Sequence, residues 1–309
     1  MYETPTRSVG TFGAIHHHQA FLQNAGMQDS ILLPTKCSYG AYKKNITNMN
    51  FNKRILTVLS VALVLFSSFI LFKKEKPVFY IIGDSTVKNG DGTGKNNQMG
   101  WGTVIDPFFD TTKISVRNHA IGGRSSRTFI TEGRWDKILQ TLKKGNYVIM
   151  QFGHNDASPL DDTARARGTI RGVGEDSTEI WNPIRKIKEV VHTYGWYMRK
   201  YVRETKAKGA IPIICSLVPR NNWKDNKVGR SSDSWALWAK QVAEQEGAYY
   251  IELNGLVADK YDAMGQAAIK AFFQADNTHT NNDGAKLNAE IVAKELKRIN
   301  PGKIKKYMN

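Results

Sequence analysis

An α/β fold, with a parallel sheet covered by helices on both faces, is what this 309-residue sequence predicts. Three observations lead there. Five apolar runs of strand length recur from residue 78 onward, with helix-periodic segments between them. Polar, glycine-containing clusters stand directly after the first three runs. The composition, 41% hydrophobic and 23% charged, is that of a globular chain long enough for one large core.

The elements follow in order. "VFYIIG" (78–83), "ISVRNHAIG" (114–122), "YVIMQFG" (147–153), "AIPIICSLV" (210–218) and "AYYIELN" (248–254) read as the strands. Helical spacing of apolar residues predicts helices over Trp135–Lys143, Ser234–Glu246 and Ala285–Ile299. The longest helix is expected over Pro183–Lys208, where Ile184, Ile187, Val190, Val191, Tyr194, Tyr197, Met198 and Tyr201 share one face. Ala157–Asn182, with "ARARGTIRGVGED", reads as a long loop that shapes entry to a site. There are no internal repeats, and 77–309 reads as one domain.

Ahead of it, Ile55–Phe72 is an uncharged apolar run preceded by Lys53 and Arg54, with Met49 just upstream. This is the layout of an export signal, read from 49 to 76, or of an uncleaved membrane anchor, since the run approaches the roughly 17–25 residues that span a bilayer. An exported protein is expected, secreted, periplasmic or held at a membrane through 55–72. Residues 1–48 lack periodicity and read as a disordered tail or an upstream start-site extension; His16, His17 and His18 there are incidental rather than ligands.

Net charge is +16. Residues 1–76 hold nine Lys/Arg and three Asp/Glu, which leaves 35 against 25 for 77–309. No Lys/Arg-rich helix, zinc-finger spacing or RNA-binding signature accompanies the charge, so nucleic acid is not the expected partner. The two cysteines, Cys37 and Cys215, form no disulfide or metal framework, and Cys215 lies in an apolar run as a core thiol.

The chemistry gathers at the ends of the strands. Asp84-Ser85-Thr86 follows the first, Gly122-Gly123-Arg124-Ser125 the second, and Gly153-His154-Asn155-Asp156 the third. In an open parallel sheet, ligands bind outside the carboxyl ends of the strands, so the three loops converge. Each alone suits a turn; their shared register favours a site. Ser85 is the candidate nucleophile, and its backbone N–H a first oxyanion donor. Gly123 offers close backbone approach and a second N–H, and Asn155 a side-chain amide. Histidine is the expected base. His279 in "DNTHTNNDGAKL" has Asp276 three residues before it, close enough to hold its tautomer, whereas capping of the last helix by Asn282 or Asp283 beside an idle histidine is the plain alternative. His154 is the weaker base candidate, and His192 reads as structural.

In this order, "GDST", a glycine loop, "FGHND" and Asp-x-x-His resemble the SGNH, or GDSL-like, hydrolases. With "GWG" (100–102), "GGRSSRTF" (122–129), "EGRW" (132–135) and "HTNNDGA" (279–285), the match within that superfamily is to rhamnogalacturonan acetylesterases, over about residues 77–299. The resemblance implies a flavodoxin-like, three-layer α/β/α fold with five parallel strands. It implies Ser85 as nucleophile, Asp276 and His279 as its triad partners, and Ser85, Gly123 and Asn155 as the oxyanion hole, with Gly122 the neighbouring choice for the glycine. It implies deacetylation of pectic rhamnogalacturonan through an acyl-enzyme, with no metal or cofactor.

An acetylated acidic polysaccharide would suit the basic domain. Arg124, Arg127, Arg134 and Arg220 are the cations expected near the site loops, with Arg recognising carboxylates bidentately. Trp101, Trp181 and Trp223 are candidates for stacking on sugar rings, of which Trp223 joins Arg124, Arg127 and Arg220 as an expected substrate contact. The rival readings are another carbohydrate esterase such as an acetylxylan esterase, a lysophospholipase-like esterase, and a glycan-binding protein on a dead hydrolase fold. The intact Ser85, Asn155, Asp276 and His279 speak against the last.

Overall fold

The computed structural model describes residues 52–71 and 75–309. The chain divides into two units, ending and beginning at Leu71 and Phe72. In the first, Lys53–Leu71 forms one helix, α1. Among the described residues, no helix is long and apolar enough to cross a membrane. The apolar run Ile55–Phe72 reaches past the residues whose side chains are described, and the expectations for 1–48, with Cys37 and the three histidines, lie outside the described residues.

The second unit runs β1 (Val78–Gly83), β2 (Ser115–Asn118), α2 (Ser126–Thr131), α3 (Arg134–Thr141), β3 (Tyr147–Gln151), β4 (Ser177–Asn182), β5 (Ile187–His192), α4 (Tyr194–Ala207), β6 (Ile211–Cys215), β7 (Trp223–Lys224), β8 (Lys227–Val228), α5 (Trp235–Glu246), β9 (Tyr249–Ile251), α6 (Leu253–Met264), α7 (Gln266–Lys270) and α8 (Asn282–Ile299). The main sheet has the order β2-β1-β3-β6-β9, all parallel, which is the doubly wound 2-1-3-4-5 arrangement.

β1 shows why the sheet needs two helical layers. Phe79 and Ile81 face a core completed by Val257 and Tyr261 of α6 and Val292 and Leu296 of α8. Tyr80 and Ile82 face the other side, against Met198 and Tyr201 of α4 and Ala239 and Val242 of α5. Alternate residues of one strand thus belong to different cores, so the strand is apolar throughout. The expected three-layer fold is observed.

Several expectations are corrected. Pro183–Lys208 is not one helix. Its first half is the turn and second strand of an antiparallel hairpin, β4–β5, with Trp181 opposite Lys188 and Glu179 opposite Val190. The helix starts only at Tyr194, where the Thr193 hydroxyl accepts the Trp196 N–H. The loop from Ala157 accordingly ends at Ser177 rather than Asn182. β2 stops at Asn118, and the remainder of the expected strand to residue 122 is loop. Helices α2, α6 and α7 fall where no helix is expected. Cys215 is fully buried on β6, and burial pushes its thiol far up, leaving it unreactive.

Candidate active site

The site begins with the abrupt end of β1. A Cβ on Gly83 would lie 2.6 Å from the Gln151 carbonyl oxygen and from Val87 Cγ2, so only glycine lets the chain turn there. Asp84 then folds the turn. Its Oδ1 accepts the Thr86 N–H at 2.9 Å and the Thr86 hydroxyl at 2.7 Å, and its carbonyl accepts the N–H groups of Val87 and Lys88. A buried chain from Trp101 Nε1 through Gln151 to the Thr86 hydroxyl ties this turn to β3. Ser85 is left at the lip of the sheet.

His279 Nε2 stands 2.7 Å from Ser85 Oγ, and His279 Nδ1 2.7 Å from Asp276 Oδ2. Asp276 uses its other oxygen to accept the backbone N–H groups of Thr278 and His279 at 2.7 and 2.8 Å. Carboxylate and imidazole are therefore fixed within one tight turn. Burial alone would raise the Asp276 carboxyl, but these bonds from His279 and Thr278 outweigh it and hold it below the usual carboxylate range. The helix cap is made by Asn281, whose Oδ1 accepts the N–H groups of Asp283 and Gly284, and not by Asn282 or Asp283; His279 beside it is engaged on both ring nitrogens, so the capping alternative with an idle histidine is corrected. The turn is fastened by Met99 N–H to the Thr280 carbonyl at 2.7 Å, by Asn221 N–H to the Asn277 carbonyl at 2.8 Å, and by Arg220 donating to the Thr278 hydroxyl.

The other two loops close around Ser85. Gly123 has φ +80°, the left-handed region that favours glycine, and a Cβ on Gly122 would lie 3.5 Å from Ser85 Cβ. Asn155 donates one amide N–H to the Arg124 carbonyl at 2.9 Å, which joins the loops and leaves its second N–H for the cavity it lines. Beneath them, Asp156 is fully buried and accepts from the Ser126 N–H and hydroxyl and from the Gly153 N–H. Burial pushes its carboxyl up to about 7, against those bonds and with the charge of Asp84 adding to the rise. Burial also lowers the His154 imidazole to about 4, so His154 is neutral at pH 7 and too weak a base for the proton of Ser85.

Ser85, Gly122, Gly123, Asn155 and His279 open into one cavity of about 580 Å³. Four arginines line it, Arg124, Arg165, Arg167 and Arg220, against one acid, Glu132. Arg124 is paired with Glu132 at 3.0 Å. Arg127, expected at substrate, is instead fully buried: it pairs with Glu189 at 2.8 Å and donates to the carbonyls of Leu160 and Gly168. Trp223 does not line the cavity and donates its indole N–H to Asn221; Trp101 is buried, and Trp181 is exposed on β4. Arg134 pairs with Glu132 outside the cavity lining. His119 packs near the ring of Tyr80, and His192 stacks on Trp196.

Three residues escaped the sequence reading. Gln98 donates to Asp276, and nothing in "GKNNQMGWG" marks it. Arg165 and Arg167 lie in a stretch whose composition is visible in the sequence but whose reach over Gly123 is not.

Known proteins resemble this chain in sequence and fold. Over 208 residues, 67% of this chain and 82% of its own, a rhamnogalacturonan acetylesterase of Emericella nidulans is 31% identical. A Bacillus subtilis rhamnogalacturonan acetylesterase, RhgT, is 26% identical over 73% of this chain and 92% of its own. The crystal structure of YxiM, an uncharacterised esterase of the same bacterium, superposes with a TM-score of 0.59 at 27% identity over 73% of this chain. This chain spans 57% of that structure. Residues 81–287 match the GDSL-like lipase/acylhydrolase family. The chain belongs to that family and is a carboxylic ester hydrolase.

Proposed function

We propose that the chain removes acetyl groups from an acidic polysaccharide, with pectic rhamnogalacturonan as substrate and Ser85 as the acylated residue. The observation that carries this reading is the hydrogen-bonded order Ser85–His279–Asp276, of which Ser85 and His279 line an arginine-rich cavity. Ser85 Oγ attacks the acetyl carbonyl while His279 Nε2 takes its proton. The negative charge that develops on the carbonyl oxygen is met by the N–H groups of Ser85 and Gly123 and by the Asn155 amide. Collapse expels the sugar oxygen, which takes the proton from His279. Water then repeats the sequence on the acetyl-serine, releasing acetate and restoring the hydroxyl. Asp276 keeps the imidazole in the tautomer that presents Nε2 to Ser85 and stabilises the transient imidazolium.

The relatives named as rhamnogalacturonan acetylesterases support this substrate, and so does the excess of arginine over acid in the cavity. The experiment is acetate release from acetylated rhamnogalacturonan beside acetylxylan, at low and high salt. The reading predicts preference for the pectic polymer and a kcat/KM that falls with salt, because screening shortens the reach of charge from about 8 Å to about 3 Å between physiological ionic strength and 1 M. Equal rates on both polymers, or preference for acetylxylan, would overturn it. An exported enzyme acting on polymer outside the cell fits the basic-then-apolar segment 49–76, and sequencing the mature N-terminus tests that placement.

A further inference from the structure

Two of the four cavity arginines come from the loop after β3, and they share a location. On Gly123, a Cβ would have Arg167 Nη1 at 3.6 Å and Arg165 Nη1 at 3.7 Å, so both guanidinium groups crowd the same point above the oxyanion loop. The backbone is built to put them there. Asp162 accepts the N–H groups of Ala164, Arg165 and Ala166 with its carboxylate, and Ala166 takes φ +42°. This turn sends two side chains, two residues apart, toward the cavity.

Their partners differ. Arg167 donates Nε to the Ser158 hydroxyl at 3.0 Å and Nη1 to the Gly123 carbonyl at 3.1 Å, which anchors the loop to the glycine. Arg165 has no ion pair or side-chain hydrogen bond with any described residue. Neither arginine is salt-bridged to an acid among the described residues, and burial, followed by the charge of Arg165, lowers the pKa of the Arg167 guanidinium, which stays charged. Two adjacent guanidinium groups without a carboxylate repel each other, and an anion placed between them relieves that repulsion. Arg124, by contrast, is paired with Glu132, and Arg220 fastens the His279 turn through the Thr278 hydroxyl.

We infer that Arg165, with Arg167 behind it, receives a uronic acid carboxylate of the polymer that is deacetylated at Ser85. The inference rests on the polysaccharide reading above for the nature of the polymer, but the site is a carboxylate receptor in its own right. Arg167 is mainly a positioning residue, since it holds Gly123. Arg165 sets specificity: its fork matches a carboxylate, and a neutral sugar leaves it unpaired.

The test is competition. The full chain hydrolyses a neutral aryl acetate while unacetylated oligogalacturonate, or a neutral xylo-oligosaccharide of equal length, is added. Oligogalacturonate is expected to inhibit competitively and less at high salt, and the neutral oligomer weakly. Arg165→Ala should raise the inhibition constant of oligogalacturonate about tenfold, and Arg165→Lys by an intermediate factor, because an ammonium keeps the charge and loses the fork. Arg165 is exposed and its backbone N–H stays on Asp162, so the variants should melt as the parent does, which circular dichroism checks. An inhibition constant unchanged by Arg165→Ala, or equal inhibition by the neutral oligomer, would overturn the inference. If the chain releases no acetate from rhamnogalacturonan while the inhibition pattern holds, the substrate reading fails and the carboxylate site stands; the opposite pattern removes the site alone.

Discussion

Gln98 donates its side-chain amide to the same Asp276 oxygen that engages the His279 ring, at 3.0 Å beside 2.7 Å. The orientation of that amide is itself fixed, since Asn89 and Asn96 both donate to Gln98 Oε1. Asp276 is the most exposed member of the relay, with a side chain 39% accessible, so a further restraint on it has something to restrain. Gln98→Ala should lower kcat on an aryl acetate about tenfold, the worth of one hydrogen bond to a charged group. Gln98→Glu should cost more at neutral pH by placing a second carboxylate against Asp276. The ratio of the two variants' rates should narrow as pH falls toward ~4.3, where glutamate protonates. A ratio constant with pH would rule out the contact.

Ser85→Ala and His279→Ala should each remove nearly all esterase activity, by ~10⁴–10⁶-fold, with little change in melting temperature. Both side chains end in the cavity rather than in either core, so the loss should be chemical. Retention of a tenth of the activity by Ser85→Ala would dismiss it as nucleophile.

Arg127→Ala should act on stability first. The pair Arg127–Glu189 has side chains 0% and 6% accessible, and removing one charge strands the other. Unfolding should become easier by about 3 kcal/mol or more, despite the remaining bond from Asn182 to Glu189 at 2.6 Å. Denaturant melts measure this. A variant as stable as the parent but selectively poor on an acidic polymer would return Arg127 to the substrate.

His154 and Asp156 make opposite contributions to the pH dependence of stability. The His154 imidazole is lowered to about 4 by burial, so between pH 4 and ~6.5 the unfolded chain binds the extra proton and stability rises with pH. The Asp156 carboxyl is raised to about 7 by burial, so between ~3.9 and 7 the folded chain binds the extra proton and stability falls with pH. Over most of that window the two cancel. His154→Gln should expose a decline in stability, and Asp156→Asn a rise, each approaching about 1.4 kcal/mol per pH unit. Urea melts from pH 4 to 7 provide the slopes; parallel slopes for parent and both variants would refute the two assignments.

The sequence carried the sheet well because β1, β3 and β6 face two cores and are apolar, β3 up to its last residue, Gln151. It misled at the hairpin. Ile187, Val190 and Val191 have helical spacing, yet Ile187 and Val190 are exposed in the structure, while Glu189 between them is buried against Arg127. The true period is two, and it is hidden because a buried ion pair occupies a position where a reader of patterns expects an apolar side chain. Asn182 closes the turn by accepting the N–H groups of Ile184 and Arg185, and Lys186 takes φ +54°, both local signals available only once the hairpin is suspected. The relay residues were legible because each sits in a short motif beside a strand or helix end. Gln98 and Arg165 were not, since what gives each its place is contact with residues distant in sequence.

Ser85 and His279 are 194 positions apart, and the turn bearing His279 is clasped to Met99 and Asn221 from both sides. Synthesis therefore delivers Ser85 194 residues before His279. A chain ending at Ala275 would carry Ser85, Gly123 and Asn155 but neither Asp276 nor His279. On the proposed mechanism such a chain has no base for Ser85, and competence waits for the segment that leads into α8.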